Sequence, residues 1–185
     1  LKVVVPSMPA DAHGLLKSAT RDPDPVLFLE HKKLYRLVAE QVPDGDHLVP
    51  IGPAVVRREG ANLSCFAWGL MTHYCLEAAA QLQTEGLSVE VVDLRTLAPL
   101  DRETILLSVR KTGKAMVVHE DNLTGGFGAE VAAIISEHAF GDLDGPVVRV
   151  AAPDIPAMPF NTPQEEFFMP NPHKIAEAMR KLAAY

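Results

Sequence analysis

The sequence predicts an α/β fold in which helices flank a mainly parallel β-sheet, preceded by a separate strand-helix-strand unit. Short apolar runs rich in β-branched residues alternate along the chain with segments of helical periodicity. Glycine and proline mark most of the junctions between them. Of the 185 residues, 48% are hydrophobic and 22% are charged, so the chain carries enough apolar surface for a buried core.

The strand-helix-strand unit is predicted over residues 1–36, and its first strand is the valine run at 3–5. The sequence opens in this strand without an initiator Met. A strand-helix-strand unit alone cannot bury both faces of its sheet. We therefore expect the chain to be a fragment of a longer protein and this unit to be the end of a larger domain.

A helix is predicted over residues 9–20, with Ser7 as its N-cap and Asp11 near the positive end of its dipole. The turn that follows holds two prolines, which cannot continue a helix. Residues 26–29 are apolar and form the second predicted strand.

Residues 37–60 are predicted to be a linker, because they are polar and rich in turn residues, although short edge strands fit the same composition. The main domain is predicted over residues 61–185. Its strands are predicted at 63–68, 89–94, 115–118 and 147–150, and its helices at 71–84, 101–111, 125–138 and 175–182. Helices between strands imply parallel strands with right-handed crossovers. The proline-rich segment 152–172 is expected to run extended over the surface.

Charge and cysteine content exclude several classes of protein. The net charge of −7 argues against a nucleic-acid-binding role, which needs a basic face. The chain has no apolar run of 18 residues, so no membrane span is expected. Cys65 and Cys75 are too few for a disulfide framework or a zinc site, and both are expected to be buried thiols in a reducing compartment.

Glycines at residues 125–128 open a predicted helix, where free backbone N–H groups could bind an anion. The segment lacks the Gly-Lys-Ser/Thr of a P-loop and the spacing of a dinucleotide-binding loop. A tight turn with close backbone packing explains the same glycines. Both interpretations stay open at this point.

Polar side chains follow two predicted strands at their carboxyl ends, where ligands often bind in open α/β sheets. They are Asp93, Arg95, His119 and Glu120. Neighbouring His and Glu in a strand point to opposite faces, so they cannot form one dyad. A structural hydrogen-bond network is the alternative for all four. His73 lies on an apolar helix and is predicted to be a core residue.

Asp22 and Asp24 follow the first predicted helix, whose last carbonyl groups are unpaired. Carboxylate and carbonyl oxygens together suit a hard cation. A turn held by Asx-type hydrogen bonds is the alternative interpretation.

Several segments, taken in order, resemble one family. They include Asp93-Leu94-Arg95-Thr96 and Gly125-Gly126-Phe127-Gly128. The matching segments are residues 1–7, 14–16, 21–30, 34–36, 50–52, 56–60, 91–101, 111–113, 118–120 and 124–131. Together they resemble the C-terminal half of the beta subunit of the branched-chain 2-oxoacid and pyruvate dehydrogenases. The resemblance implies a transketolase C-terminal-like domain after the end of a pyrimidine-binding domain.

The resemblance implies an enzyme that decarboxylates a 2-oxoacid oxidatively and passes the acyl group to lipoyl groups. Its cofactors are thiamine diphosphate and magnesium, held mostly outside this segment. The implied partners are the alpha subunit, a second beta subunit, the N-terminal half of the beta subunit and the subunit-binding domain of a lipoyl acyltransferase. The assembly is a heterotetramer, expected in the cytoplasm or, in a eukaryote, the mitochondrial matrix.

The resemblance assigns no catalytic and no cofactor-binding residue to this segment, because the family's active-site residues lie upstream. It implies a structural, potassium-like monovalent cation, with Ala19, Asp22 and Asp24 as half of its ligands. A first loop with the other ligands is upstream.

Docking to the acyltransferase is predicted through Asp142, Asp144 and Tyr185. The two acids lie in a turn before the last strand, and Tyr185 ends the chain with a ring and a carboxylate. The family's acyltransferase domain is basic, whereas this chain is acidic. The alternative is that both acids only solubilise a loop.

Two other functions stay open from the sequence. One is a regulatory module that holds a small anion with Arg95 and the turn at 125–128. The other is half of a different thiamine enzyme, such as a transketolase or a deoxyxylulose-phosphate synthase.

Overall fold

The computed structural model describes residues 1–185 and contains eight strands and seven α-helices. The strands are β1 (Lys2–Val4), β2 (Val26–Phe28), β3 (Val55–Arg58), β4 (Leu63–Ala67), β5 (Val89–Asp93), β6 (Thr96–Ala98), β7 (Ala115–Asn122) and β8 (Val148–Ala152). The helices are α1 (Pro9–Arg21), α2 (Leu34–Leu37), α3 (Leu70–Gln83), α4 (Arg102–Thr112), α5 (Gly128–His138), α6 (Thr162–Phe168) and α7 (Pro172–Ala183).

The main sheet has five strands in the order β3-β5-β4-β7-β8. Four of them run parallel, and β3 pairs antiparallel with β5 at one edge. Every residue of β4 and β5 is buried, as expected for parallel strands covered on both faces. The predicted α/β fold with a mainly parallel sheet flanked by helices is confirmed.

Helices cover both faces of this sheet and create two apolar cores. Helices α3 and α7 pack on one face, where Cys65, Val91 and Met116 belong to a cluster of 17 buried residues. Helices α4 and α5 pack on the other face, over Phe66 and Val117. Alternate residues of one strand thus point to opposite cores. Because β4, β5 and β7 run parallel, their carboxyl ends lie at a common edge of the sheet.

A small second sheet has the order β2-β1-β6. Strands β1 and β2 are parallel and joined by α1, and they belong to the strand-helix-strand unit predicted over 1–36. The third strand, β6, pairs antiparallel with β1 and comes from the chain just after β5. The main domain therefore contributes a strand to the sheet of the N-terminal unit. The predicted domain boundaries stay a prediction.

Two local predictions, the cap of α1 and the extended tail, differ from the structure. Met8, not Ser7, occupies the N-cap of α1, and no side chain caps it. Strand β3 lies within the predicted linker and is an edge strand, which the composition of that segment allowed. The tail predicted to be extended contains α6, whose N-cap Asn161 accepts a hydrogen bond from the Gln164 N–H. By contrast, Asp101 caps α4 as its position predicts. None of the helices combines the length and the apolar character needed to cross a bilayer.

Candidate functional site

Four charged side chains meet at the seam between the two sheets. Asp11 comes from α1, Arg57 from β3, Asp93 from the end of β5, and Arg95 from the connection that follows. Arg57 donates to Asp93 Oδ2 from Nε at 3.1 Å and from Nη2 at 3.0 Å, and its Nη2 also donates to Asp11. Arg95 Nη1 donates to Asp11 Oδ1 at 2.8 Å. Two aspartates and two arginines thus form one connected chain of ion pairs, which we name the seam network.

The seam network is mostly removed from solvent, and Asp93 is fully buried. Burial raises the pKa of the Asp93 carboxyl, an effect that the charge of Arg57 opposes. Burial also lowers the pKa of Arg95. Ser7, predicted to cap α1, instead donates its hydroxyl to Asp93 Oδ1 at 2.9 Å. The side chains that surround Asp93 therefore satisfy a buried charge, as such groups require.

Arg95 has a left-handed backbone conformation with φ of 54°, which is uncommon for a residue other than glycine. Its carbonyl accepts from the Val5 N–H at 2.7 Å, and its Nη2 donates to the Pro53 carbonyl at 2.8 Å. Two of the guanidinium N–H groups thus bind Asp11 and Pro53, and the side chain is almost fully buried, so Arg95 is not presented to solvent or to an open cavity. The structure brings Asp93 and Arg95 together, but they form structural contacts between the two sheets and not an open binding site.

His119, on β7, is completely buried beneath the glycine turn that precedes α5. Its ring stacks on Trp68 at a centroid distance of 5.5 Å, and neither ring nitrogen has a hydrogen-bond partner. Burial lowers the pKa of His119, so the neutral imidazole is favoured. A Cβ on Gly126 or Gly128 would overlap this ring. The glycines therefore allow close packing, which favours the turn over the anion cradle.

Glu120 points away from His119 and contacts the N-terminal unit instead. Its carboxylate lies 3.0 Å from Nε2 of His31, on the loop after β2. His31 borders two open cavities, of about 280 and 420 Å³. This contact was not predictable from the sequence, because 89 positions separate the two residues and no motif links them.

The predicted cation ligands lie in the turn between α1 and β2. The ammonium group of Lys2 contacts both oxygens of Asp22, at 2.6 and 2.7 Å, and lies 3.3 Å from Asp24 Oδ2. The Ala19 carbonyl accepts only from the Asp22 N–H, at 3.4 Å. The Asp22 carboxylate therefore does not fit a metal ion while Lys2 is in place. No cluster of three or more His, Cys, Asp or Glu side chains suited to a metal is present.

The predicted docking residues lie close together in the fold. Asp142 accepts from Arg110 Nε at 3.3 Å, so its charge is partly balanced. Asp144 is exposed, and its N–H donates to the Gly113 carbonyl at 2.7 Å. Tyr185 is 72% exposed and lies against Gly145, next to Asp144. The acidic turn and the C-terminal ring thus share one surface.

The remaining candidates are structural. Cys65 and Cys75 are buried, reduced and 3.4 Å apart at their sulfur atoms, and burial raises the pKa of the Cys75 thiol. His73 places Nε2 2.7 Å from the Ser7 carbonyl, which ties α3 to the N-terminal unit.

Known proteins match this chain over its whole length. The family described as "Transketolase, C-terminal domain" matches residues 52–175. Over all 185 residues the chain is 53% identical to the 2-oxoisovalerate dehydrogenase subunit beta of Bacillus subtilis. It is 48% identical to the pyruvate dehydrogenase E1 component subunit beta of the same organism. The chain spans 57% and 56% of the lengths of these relatives and corresponds to their C-terminal part.

A solved structure agrees with these matches. A split gene transketolase, described as an inactive beta4 tetramer, superimposes with a TM-score of 0.80 at 30% identity. The match covers 99% of this chain and 57% of the other. The resemblance to dehydrogenase beta subunits is confirmed, and the chain belongs to the transketolase C-terminal domain family.

Proposed function

We propose that this chain is the C-terminal part of the beta subunit of a thiamine-diphosphate-dependent 2-oxoacid dehydrogenase. The observation that carries the proposal is the 53% identity to a 2-oxoisovalerate dehydrogenase beta subunit over every residue of the chain. The 48% identity to a pyruvate dehydrogenase beta subunit supports the broader substrate class of 2-oxoacids.

Within such an enzyme, this segment serves as a scaffold and carries no catalytic residue. Its charged groups at the carboxyl edge are paired: Asp93 with Arg57, Arg95 with Asp11, and Glu120 with His31. Thiamine diphosphate and magnesium are held elsewhere in the assembly, by the alpha subunit and the N-terminal half of the beta subunit. A second beta subunit completes the heterotetramer.

The small-anion module is the weaker alternative, since Arg95 and the glycine turn are both committed to internal contacts. A transketolase-like enzyme is the stronger alternative, because the split gene transketolase shares the fold at 30% identity. The substrate that the assembled enzyme prefers, a 2-oxoacid or a ketol donor, distinguishes a 2-oxoacid dehydrogenase from a transketolase.

The first prediction is that this chain alone does not turn over a 2-oxoacid. It should become part of an active enzyme only with the alpha subunit and the N-terminal half of the beta subunit, because its own charged groups are paired. Decarboxylation of branched-chain 2-oxoacids and pyruvate would be followed with thiamine diphosphate and magnesium, with each chain omitted in turn. Turnover by this chain alone would refute the scaffold role, and ketol transfer without decarboxylation would favour the transketolase.

The second prediction concerns docking of the acyltransferase. Changing Asp142 and Asp144 to Asn should slow association of a basic subunit-binding domain several-fold at low salt and flatten its salt dependence, because exposed charges steer encounter. Association rates would be measured on the assembled enzyme at two salt concentrations.

The matched control removes two charges from other surface positions, as Asp44→Asn with Glu103→Gln. If both double variants associate equally fast, the basic domain docks elsewhere on the subunit. The exposed ring of Tyr185 provides a further check, since Tyr185→Ala should speed dissociation if it anchors the interface.

A further inference from the structure

The start of β1 lies next to the turn that joins α1 to β2. Lys2 pairs with Val26 in the parallel ladder, and its N–H donates to the Pro25 carbonyl at 3.0 Å. The backbone register therefore fixes the Cα of Lys2 beside residues 22–25. A long side chain at this position therefore reaches the acids of the turn.

The ammonium group of Lys2 contacts three of the four carboxylate oxygens in this turn. They are both oxygens of Asp22, at 2.6 and 2.7 Å, and Oδ2 of Asp24, at 3.3 Å. A lysine ammonium has three N–H donors, which equals the number of these oxygens. Oδ1 of Asp24 is the one carboxylate oxygen of this turn that Lys2 does not contact, and both oxygens of Asp22 are occupied.

The ionisation of both groups agrees with this geometry. The hydrogen bond to Asp22 raises the pKa of Lys2, and the same bond lowers the pKa of Asp22. Oδ1 of Asp22 also accepts a hydrogen bond from the Asp24 N–H, at 2.9 Å. The turn lies at the C-terminal end of α1, where the helix dipole favours a positive charge.

An ammonium group and a potassium ion carry the same charge and both bind oxygen atoms. The cation that the family resemblance predicts for Ala19, Asp22 and Asp24 would therefore compete with Lys2 for the same carboxylate. We propose that the Lys2 ammonium is the resident cation of this turn, and that a potassium-sized ion uses the Asp22 carboxylate only when Lys2 is removed.

The test is the melting temperature of the full chain in KCl, NH4Cl and NaCl at equal ionic strength. The wild type should melt at the same temperature in all three salts. Lys2→Met should melt lower in NaCl, by on the order of 2–4 °C, as expected for loss of one surface ion pair. KCl and NH4Cl should restore part of that loss, because either ion can replace the missing ammonium.

Two further variants make the result specific. Lys32→Met removes an exposed lysine without a side-chain partner, and it sets the baseline for general salt effects. Adding Asp22→Asn to Lys2→Met should abolish the difference between KCl and NaCl. A higher melting temperature of the wild type in KCl than in NaCl would overturn the proposal, and so would equal melting of Lys2→Met in both salts.

Discussion

Replacing Asp93 by Asn is expected to lower the free energy of unfolding by about 3–5 kcal/mol, the usual cost of removing one partner from a buried ion pair. Asn has nearly the same shape, so packing is preserved. The loss arises because Arg57 keeps a partly buried charge, and Asp11 alone must then balance it. Equilibrium unfolding in urea, followed by circular dichroism, measures the change.

Two variants define the origin of this loss. Asp44→Asn removes an exposed carboxylate that has no side-chain partner in the fold and should change stability by less than about 0.5 kcal/mol. The double variant Asp93→Asn with Arg57→Gln removes one charge of each sign and leaves the pair of Asp11 and Arg95. It should be more stable than Asp93→Asn alone. If it is less stable, packing and not the unpaired charge explains the effect.

The alternation of strands and helices was predictable, because the apolar runs of strands and the 3.6-residue period of helices are both local patterns in the sequence. Strands β4 and β5 are apolar runs bounded by turn residues, and Asp101 is a side chain suited to an N-cap. Strand β6 was not predictable in this way. It has only three residues, and its partner β1 lies more than 90 positions away, so its pairing is decided by tertiary contacts.

The seam network shows why the candidate site was only partly predictable. The spacing of Asp93 and Arg95 after a strand indicated a cluster of polar groups at the carboxyl edge. Its other members, Asp11 and Arg57, lie on elements distant in sequence, and no local pattern links them. Ser7 was assigned to a cap for the same reason, since a local rule ignores a buried carboxylate that competes for the hydroxyl.

The turn that holds Asp22 and Asp24 differs from the seam network, because the sequence contained the information needed to place Lys2 beside it. Two parallel strands joined by a helix bring the start of the first strand beside the start of the second. The predicted strands at 3–5 and 26–29 therefore place Lys2 near Asp22 and Asp24. Topology could have predicted this ion pair, whereas composition alone favoured a plain turn and only the family resemblance indicated a cation site.

Gly128→Ala is expected to destabilise the fold by about 1–3 kcal/mol, the usual cost of overpacking a core. The added Cβ would overlap the His119 ring and lie 3.3 Å from Val117 Cγ1. The ring cannot move aside easily, because it is fully buried and stacked on Trp68. Helix propensity acts in the opposite direction, since Ala favours a helix over Gly by up to about 1 kcal/mol.

Thermal unfolding distinguishes these effects, with about 2–4 °C lost per kcal/mol in a domain of this size. Gly141→Ala is the matched control, because no atom lies within 4 Å of its added Cβ.

The same variants decide between packing and anion binding at the glycine turn. Packing predicts that Gly128→Ala melts lower than Gly141→Ala with or without phosphate. If Gly128→Ala melts like the wild type in buffer and loses only a phosphate-induced stabilisation, the glycines hold an anion, and His119 is part of its site.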